Sequence, residues 1–262
     1  MQIATWNVNS IRARAPRVIQ FLERTGVDVL AMQEIKCKPE QFPYADFEAI
    51  GYKVIAHGLN QWNGVAFAYK EQLEAQDIEF SFPQQPMFKD VLEARALAAT
   101  FDGVRIWSLY VPHGRGLEDP HMAYKLEFLE RLGSHVAEEL EEDPDAQIAL
   151  VGDFNIAPLD SDVFNVNFFE THVSEPERDT FEMFEQIGFA DLHRDFAPSG
   201  YTYWDYKDLR FPRNEGMRID FILSSPALTE RISSGTIERD ERKGDGPSDH
   251  VPVTAEISGL AN

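Results

Sequence analysis

Two stretches toward the C-terminal end of the chain carry side chains that could work on a phosphate. One is Asn214-Glu215-Gly216-Met217-Arg218-Ile219-Asp220 and the other is Pro247-Ser248-Asp249-His250-Val251-Pro252-Val253. Together they supply two carboxylates and a histidine. A histidine held by a carboxylate can stabilise or move charge on a phosphate, and a spare carboxylate can help hold a divalent cation. Further polar clusters follow apolar, strand-like runs. Trp6-Asn7-Val8-Asn9 offers amides for a hydrated metal or a phosphate oxygen, or simply turn asparagines. Gln33-Glu34-Ile35-Lys36 places an acid immediately after a strand, where it needs a partner such as Mg²⁺ or Lys36. Tyr110-Val111-Pro112-His113-Gly114-Arg115 gathers a phenol, an imidazole and a guanidinium. Tyr110 could donate to a phosphoryl oxygen, act as a nucleophile if deprotonated, or be a core tyrosine. Gly152-Asp153-Phe154-Asn155 follows a wholly apolar strand, and its Asp-x-Asn spacing puts both side chains on one face of an extended segment. Such an acid could orient water while the amide holds the phosphate. The joint order of these clusters reads as a metal-dependent phosphodiesterase.

Placing them requires strands that end at a common rim. Strand-like runs occur at 3–6, 27–32, 65–69, 97–101, 105–111, 147–151, 218–223 and 251–257. Ile11, Ala15, Val18 and Leu22 follow helical spacing, with Ser10 as N-cap. Met122, Leu126, Leu129, Leu132, Val136 and Leu140 make a longer stripe, and Phe181, Phe184 and Ile187 a shorter helix ending at Gly188. Several neighbouring strands, 64–69 and 105–111 among them, lie where antiparallel pairing is close at hand. An α/β sandwich follows: two packed mixed sheets with helices on both outer faces, in a single domain spanning 1–262. A doubly wound parallel sheet fits less well, because no Gly-rich phosphate loop opens any helix.

The net charge of −21 argues against a polyanionic partner on composition alone. Part of it is local: residues 138–145 carry six acids in eight positions, a run expected to be a solvated helix end. Charges are screened over about 8–10 Å, so a basic cleft can coexist with an acidic back. Candidates for that cleft are Arg12, Arg14, Arg17, Lys36, Lys38, Arg115, Lys207, Arg210, Arg213 and Arg218. No apolar run is long enough to span a membrane, and Met1–Asn7 lacks the pattern of a secretory signal. The single Cys37 excludes an internal disulfide. A cytoplasmic monomer without membrane contact is expected.

On the motifs Trp-Asn-Val-Asn-Ser-Ile-Arg-Ala at 6–13, Gln-Glu-Ile-Lys at 33–36, Tyr-Val-Pro at 110–112, Gly-Asp-Phe-Asn-Ile-Ala-Pro at 152–158, Asn-x-Gly-x-Arg-Ile-Asp at 214–220 and Ser-Asp-His at 248–250, the chain resembles the exonuclease III branch of the endonuclease/exonuclease/phosphatase superfamily. That branch contains the abasic-site endonucleases of base-excision repair. The resemblance implies a four-layer α/β sandwich with Mg²⁺, or Mn²⁺ in its place, at the rim. It implies Glu34 as principal metal ligand, with Asn7 and Asp249 near and Asp153 and Asn155 contributing, and Lys36 steadying Glu34. Asp153 would align or deprotonate water, Asn155 hold the phosphate, Asp220 orient His250 toward it, and Tyr110 add a hydrogen bond. Tyr203, Trp204, Met217 and Ile219 fall where the family forms an apolar pocket for a sugar lacking its base. Trp204 and Ile219 read equally well as core. Arg12, Asn63, His113, Arg115 and Asn214 would touch DNA. His57, Gly58, Asn60 and Trp62 share the loop of Asn63, and His113 departs from the amide often found at its position. The implied substrate is double-stranded DNA with abasic sites or recessed 3′ ends.

Two rival readings stand beside this one. Inositol-polyphosphate phosphatases, sphingomyelinases and deoxyribonuclease I share the metal-and-histidine rim, but the Gln-Glu-x-Lys and Asn-x-Gly-x-Arg-Ile-Asp runs speak against them. A DNA-binding module that kept the fold and lost the chemistry would be expected to lack several of the side chains that are all present here.

Overall fold

In the computed structural model, which describes residues 1–191 and 193–259, alternation along the first strand divides the molecule into layers. In β1 (Gln2–Asn7), Ala4 and Trp6 face a helical layer while Ile3 faces a second sheet. The remaining strands are β2 (Val29–Gln33), β3 (Tyr52–His57), β4 (Val65–Lys70), β5 (Gln76–Glu79), β6 (Ala96–Phe101), β7 (Val104–Tyr110), β8 (Ile148–Asp153), β9 (Asp220–Ser224), β10 (Ile232–Ile237) and β11 (Val253–Ile257). They form a six-stranded sheet in the order β10-β11-β1-β2-β4-β3 and a five-stranded sheet in the order β5-β6-β7-β8-β9. The inner faces meet through Val29, Ala31, Phe67, Ile106, Val151, Ile222 and Val253. Helices α1 (Ile11–Thr25) and α2 (Tyr44–Glu48) cover the first sheet, and α3 (Pro120–Glu142) and α4 (Glu175–Ile187) cover the second. This is the expected four-layer sandwich. Among the described residues, no helix is long and apolar enough to cross a membrane.

The pairings β1–β2 and β7–β8 are parallel, with α1 and α3 as their crossovers; the other strand pairs are antiparallel. Both sheets are therefore mixed. The runs at 65–69 and 105–111 do enter antiparallel pairs, but in different sheets, β4 with β2 and β3, β7 with β6. Strands β3, β5 and β10 escape the hydrophobic pattern of the sequence for one reason. Each is a sheet edge, with burial on one side at most, and β5 is wholly exposed. Ser10 does precede α1, but its side chain makes no capping bond and its φ is +84°. Gly188 ends α4 in the left-handed conformation, as expected.

One chain position has a tight backbone need near the rim. Gly152, with φ +146°, lies where an added Cβ would come within 1.9 Å of the Leu109 carbonyl oxygen in the paired strand. Replacing it with alanine must push β7 away from β8 one residue before Asp153. Gly152→Ala is expected to lower stability by about 2–3 kcal/mol or more, read as a drop in Tm of roughly 2–4 °C per kcal/mol. An unchanged Tm in thermal unfolding contradicts this packing.

Candidate active site

Period-two alternation aims the polar residues. Asn7 follows Ile3 and Thr5 on the inner face of β1; Tyr110 follows Ile106 and Ser108 on β7; Asp153 follows Ala149 and Val151 on β8; Asp220 precedes Ile222 on β9. Register brings them level. Asn7 pairs with Gln33, Tyr110 with Asp153, and Asp153 with Asp220. All therefore stand in the space between the sheets, at one rim. Beneath them a polar seam crosses from sheet to sheet: Thr5 Oγ1 donates to Gln33 Oε1 at 3.2 Å, Gln33 Nε2 to Ser108 Oγ at 3.1 Å, and Ser108 Oγ to the Met32 carbonyl at 3.3 Å.

Four carboxylates gather at this rim. Asn7 Nδ2 donates to Glu34 Oε1 at 2.7 Å and to Asp153 Oδ2 at 2.9 Å, so one amide bridges acids from both sheets. Lys36 Nζ lies 2.7 Å from Glu34 Oε2 and 2.5 Å from Asn9 Oδ1, and Asn9 Nδ2 donates to Asp249 Oδ1 at 3.0 Å. His250 Nδ1 is 2.8 Å from Asp220 Oδ2, and its Nε2 is 3.8 Å from Asp153 Oδ2. Ser248 Oγ anchors the histidine loop by donating to the Asn7 carbonyl at 2.7 Å. Trp6 Nε1 does the same by donating to the His250 carbonyl at 3.1 Å. Thr202 Oγ1 accepts from the amides of Ile219 and Asp220, both at 3.1 Å.

The electrostatics follow from this crowding. Burial alone would raise the pKa of Glu34, but Lys36, the Asn7 amide and His250 outweigh it and hold the carboxyl below its usual range. Burial pushes Asp153 up, against the pull of His250, and the acids Asp220 and Glu34 push it further. Burial opposes charge on His250, yet Asp220 and Asp153 prevail and lift it to about 10. Burial, then Glu34, drives the Tyr110 phenol well above its ordinary value, against the pull of Arg95, whose guanidinium sits 4.8 Å from the ring centroid. Tyr110 is thus a neutral donor and not a phenolate. Glu34, Lys36 and Asn155 all hold left-handed backbone, with φ of +52°, +52° and +51°. Such conformations in non-glycine residues persist only where surrounding bonds over-determine them.

Glu34, Asp153 and His250 bring one ligand atom each to within 4.8 Å of one another. The donor set fits a hard divalent cation, with two carboxylates as its oxygen ligands. His250 fits better as a charged donor than as a ligand, because Asp220 holds its Nδ1 and favours the protonated ring. Asp249 stands one step away, bound to Asn9. Asn7 offers nitrogen to the acids while its oxygen accepts from the Asn9 amide at 3.0 Å. Asn155 leaves the strand instead of continuing it, which corrects the extended Asp-x-Asn reading. Its N–H donates to Asp153 Oδ1 at 2.9 Å, its Nδ2 to the Val111 carbonyl at 3.0 Å, and its Oδ1 faces His172 Nε2 at 3.3 Å. Both ends of its side-chain amide are therefore engaged by Val111 and His172.

Beside the acids opens a cleft of about 330 Å³, lined among others by Tyr203, Met217, His113, His172, Phe164, Phe168 and Phe169. Tyr203 lies against the His250 ring, centroids 4.9 Å apart. Two of the four expected pocket residues thus line the cleft. Trp204 and Ile219 are 0% and 2% exposed and belong to the core: Trp204 packs on Phe211, and Ile219 clusters with Ala157, Val163 and Met217. The sequence reading missed the three phenylalanines and His172, because they sit in an irregular segment with no period to reveal them. His172 is buried and its pKa is lowered well below the usual value, first by burial and then by Lys125 and His113. It is a neutral ring whose Nε2 faces Asn155 Oδ1 and whose Nδ1 faces the Thr171 hydroxyl at 2.9 Å.

The expected basic cleft is thinner than the sequence suggests. Arg17 is spent on the carbonyls of Glu241, Lys243 and Asp245; Arg14 bonds Tyr206 and the Pro247 carbonyl; Arg210 pairs with Glu215 at 2.6 Å; and Arg218 is 1% exposed. Lys38, Lys207 and Arg213 remain exposed, as do Arg12, which reaches the Lys36 carbonyl at 3.5 Å, and Arg115, which lies over Phe88. Among the expected DNA contacts, His113 lines the cleft and Asn214 is exposed outside it, near Arg239. Asn63 is fully buried; only its carbonyl acts locally, accepting from the Lys36 amide at 2.9 Å, so its side chain is unavailable to a duplex. The acidic run at 138–145 spans the far end of α3, about 25 Å from Lys125 at 1.5 Å per helical residue.

A model of the endonuclease/exonuclease/phosphatase family matches residues 4–250. The chain is 30% identical to an exodeoxyribonuclease III from Haemophilus influenzae over 98% of this chain and 100% of that one. Among solved structures it is similar to a variant of the 3′ phosphatase NExo from Neisseria bound to a product DNA hairpin, with TM-score 0.92 and 35% identity over 99% of this chain and 100% of that one. It is also similar to an AP endonuclease from Archaeoglobus fulgidus, with TM-score 0.90 and 34% identity over the same shares.

A pH dependence follows from the histidine. A folded-state pKa of about 10, against an ordinary 6.5, gives stability that is fully present below pH 6.5 and lost as pH rises toward 10. The raised Asp153 acts in the same sense at lower pH, its contribution being lost as pH rises from 3.8 toward about 7. In chelator, Tm of the protein should therefore fall across the histidine's window, and His250→Gln should flatten the fall. Parallel curves for the two proteins would contradict the assignment.

Proposed function

The chain belongs to the endonuclease/exonuclease/phosphatase family, and we propose that it is a metal-dependent DNA-repair hydrolase of the exonuclease III branch, cutting the phosphodiester 5′ to abasic sites, removing nucleotides or phosphate from 3′ ends, or both. The single observation that carries this reading is the convergence of Glu34, Asp153 and His250 within 4.8 Å at a rim that also holds Tyr110 and Asn7. The chain would act as one cytoplasmic domain and as a monomer.

Glu34 and Asp153, with Asn7 and Asp249 beside them, would hold Mg²⁺, and Mn²⁺ would serve in its place. Bound there, the ion supplies Lewis-acid stabilisation of a phosphoryl oxygen. The remaining work falls to side chains of this chain. Lys36 keeps Glu34 ionised. Asp153, whose affinity for a proton is raised by burial and neighbouring acids, aligns the attacking water and takes its proton. Asp220 fixes His250 by its Nδ1, so that Nε2–H of a cationic ring faces the phosphate. Tyr110 donates from a protonated phenol, and Asn155 steadies the turn that follows Asp153. A pentacoordinate phosphate gains charge as water adds, and preorganised donors are worth most where that charge develops.

The cleft beside His250 would receive the sugar at the cleavage point. Its size is at the low end for ligand sites, which favours a sugar without its base or a bare 3′ terminus over a stacked nucleotide. A nucleotide without a base also leaves the helix at little energetic cost. Lys38, Lys207, Arg213, Arg12 and Arg115 would meet the backbone phosphates.

A labelled duplex carrying one abasic analogue, set beside a recessed 3′ end and a 3′-phosphate end, tests the proposal directly. Cleavage is expected with Mg²⁺ and none with chelator; hydrolysis of an inositol phosphate with no action on any duplex would overturn it. Loss of a preorganised group costs on the order of 10²–10³ in rate, so Asp153→Asn and His250→Ala should each lose at least that much in kcat. Binding should weaken steeply with salt, and replacing both Lys207 and Arg213 with alanine should reduce the log–log slope by about 0.9 for each phosphate contact removed. An unchanged slope would place the duplex elsewhere.

A further inference from the structure

Lys125 is an anomaly of α3. Its neighbours on the buried face are Met122, Phe128, Leu129 and Leu132, yet a side chain built to carry charge sits among them with 0% exposure. A buried ammonium is costly unless paired and hydrogen-bonded, and a well-packed apolar residue is generally the more stable choice. Lys125 Nζ lies 2.5 Å from Glu177 Oε1, which is equally buried. It also donates to the Asn155 carbonyl at 2.6 Å and to the His113 carbonyl at 3.4 Å. The other oxygen of Glu177 accepts from the amide and hydroxyl of Ser174 at 3.2 and 2.6 Å, at the start of α4.

The Asn155 carbonyl explains why a donor is needed there. With φ of +51° the chain has left the strand, so this carbonyl has no place in the sheet ladder and would be a buried acceptor without a partner. The amide end of the same residue is held by Asp153 Oδ1 and its side chain by the Val111 carbonyl. The third contact of Lys125 is with the carbonyl of His113, which belongs to the segment after Tyr110. One ammonium therefore joins the two turns that follow β7 and β8, the strands bearing Tyr110 and Asp153.

We propose that Lys125 is a positioning residue for hydrolysis: through the Asn155 and His113 carbonyls it fixes the turn after Asp153 relative to the segment after Tyr110, with Glu177 as its counter-charge. The role rests on the hydrolase reading above. It concerns geometry, not contact with substrate, since Lys125 has no exposed surface. Misplacement of reacting groups by about 1 Å can cost 10²-fold in rate, so loss of the clamp should appear in kcat and leave KM nearly unchanged.

Two variants separate positioning from simple stability. Glu177→Gln keeps the Lys125 link to Asn155 and removes the counter-charge, so it should lower Tm while kcat stays within about threefold. Lys125→Met combined with Glu177→Gln removes both charges, keeps a residue able to cap α4 and should regain stability. It should nevertheless lose about 10–100-fold in kcat, with KM within about twofold. Amide exchange in metal-free protein, read by mass spectrometry over residues 153–157, should quicken in the double variant and not in the single one. If kcat follows Tm through the series, or the double variant matches the parent in rate and exchange, the positioning role is overturned. Should the double variant fail to fold, the single one decides: a kcat that collapses with Tm overturns it, and a retained kcat supports it. A parent protein that cuts no duplex overturns both this role and the hydrolase reading beneath it.

Discussion

Three carboxylates that repel one another, Glu34, Asp153 and Asp220, are forced into one partly dehydrated rim, and much of the surrounding architecture answers that repulsion. Each finds a different compensation. Glu34 has a lysine, Asp220 a histidine, and Asp153 has two neutral amides, from Asn7 and Asn155, and the far nitrogen of that same histidine. The acid held by neutral amides, with no cation close by of its own, has its proton affinity raised by burial and by the neighbouring acids. A site organised this way is short of positive charge by construction, and the deficit is the driving force for taking up a cation and an anion together.

Neither sheet could hold the acids alone. Asn7 and His250 come from the first sheet's side and Asp153 and Asp220 from the second, so the bonds between them run across the sandwich, not along a strand. The polar seam through Thr5, Gln33 and Ser108 continues the same join one layer down. Strain concentrates just past the strand ends, at Glu34, Lys36 and Asn155, where the chain must turn sharply and still aim a side chain or a carbonyl inward. The rigid inter-sheet core is what keeps those turns in place.

Sequence pattern carried the layers and the acids well, because both obey a period. Buried central strands advertise themselves as apolar runs, and Asp153 announces itself by interrupting one that ends at Val151. The order of the clusters is legible in the residues, and the resemblance to a known family supplied their individual roles. What resisted reading was irregular or dual in character. Edge strands such as β5 bury too little to leave a pattern. Phe164, Phe168, Phe169 and His172 line the cleft from a segment of short turns. Trp204 and Asn63 have types suited to contact a ligand, and only tertiary packing reveals them as interior. Cations were the least legible class. Arg17, Arg210 and Arg218 count as basic in the sequence, yet local carbonyls and acids absorb them or the core hides them. Lys125, a charged residue beside Leu126 of the apolar stripe, is wholly enclosed.

The length of α3 has a mechanical consequence for a molecule so rich in acid. Its first turns reach the rim through Lys125, and the acidic run occupies its last turn and the segment that follows. A uniformly negative body would be turned away from a polyanion at every angle of approach. Acid gathered at one end of a helix makes the repulsion uneven, so the body feels a torque that turns that end outward. The part of the surplus gathered there thus biases the orientation of encounters as well as opposing them.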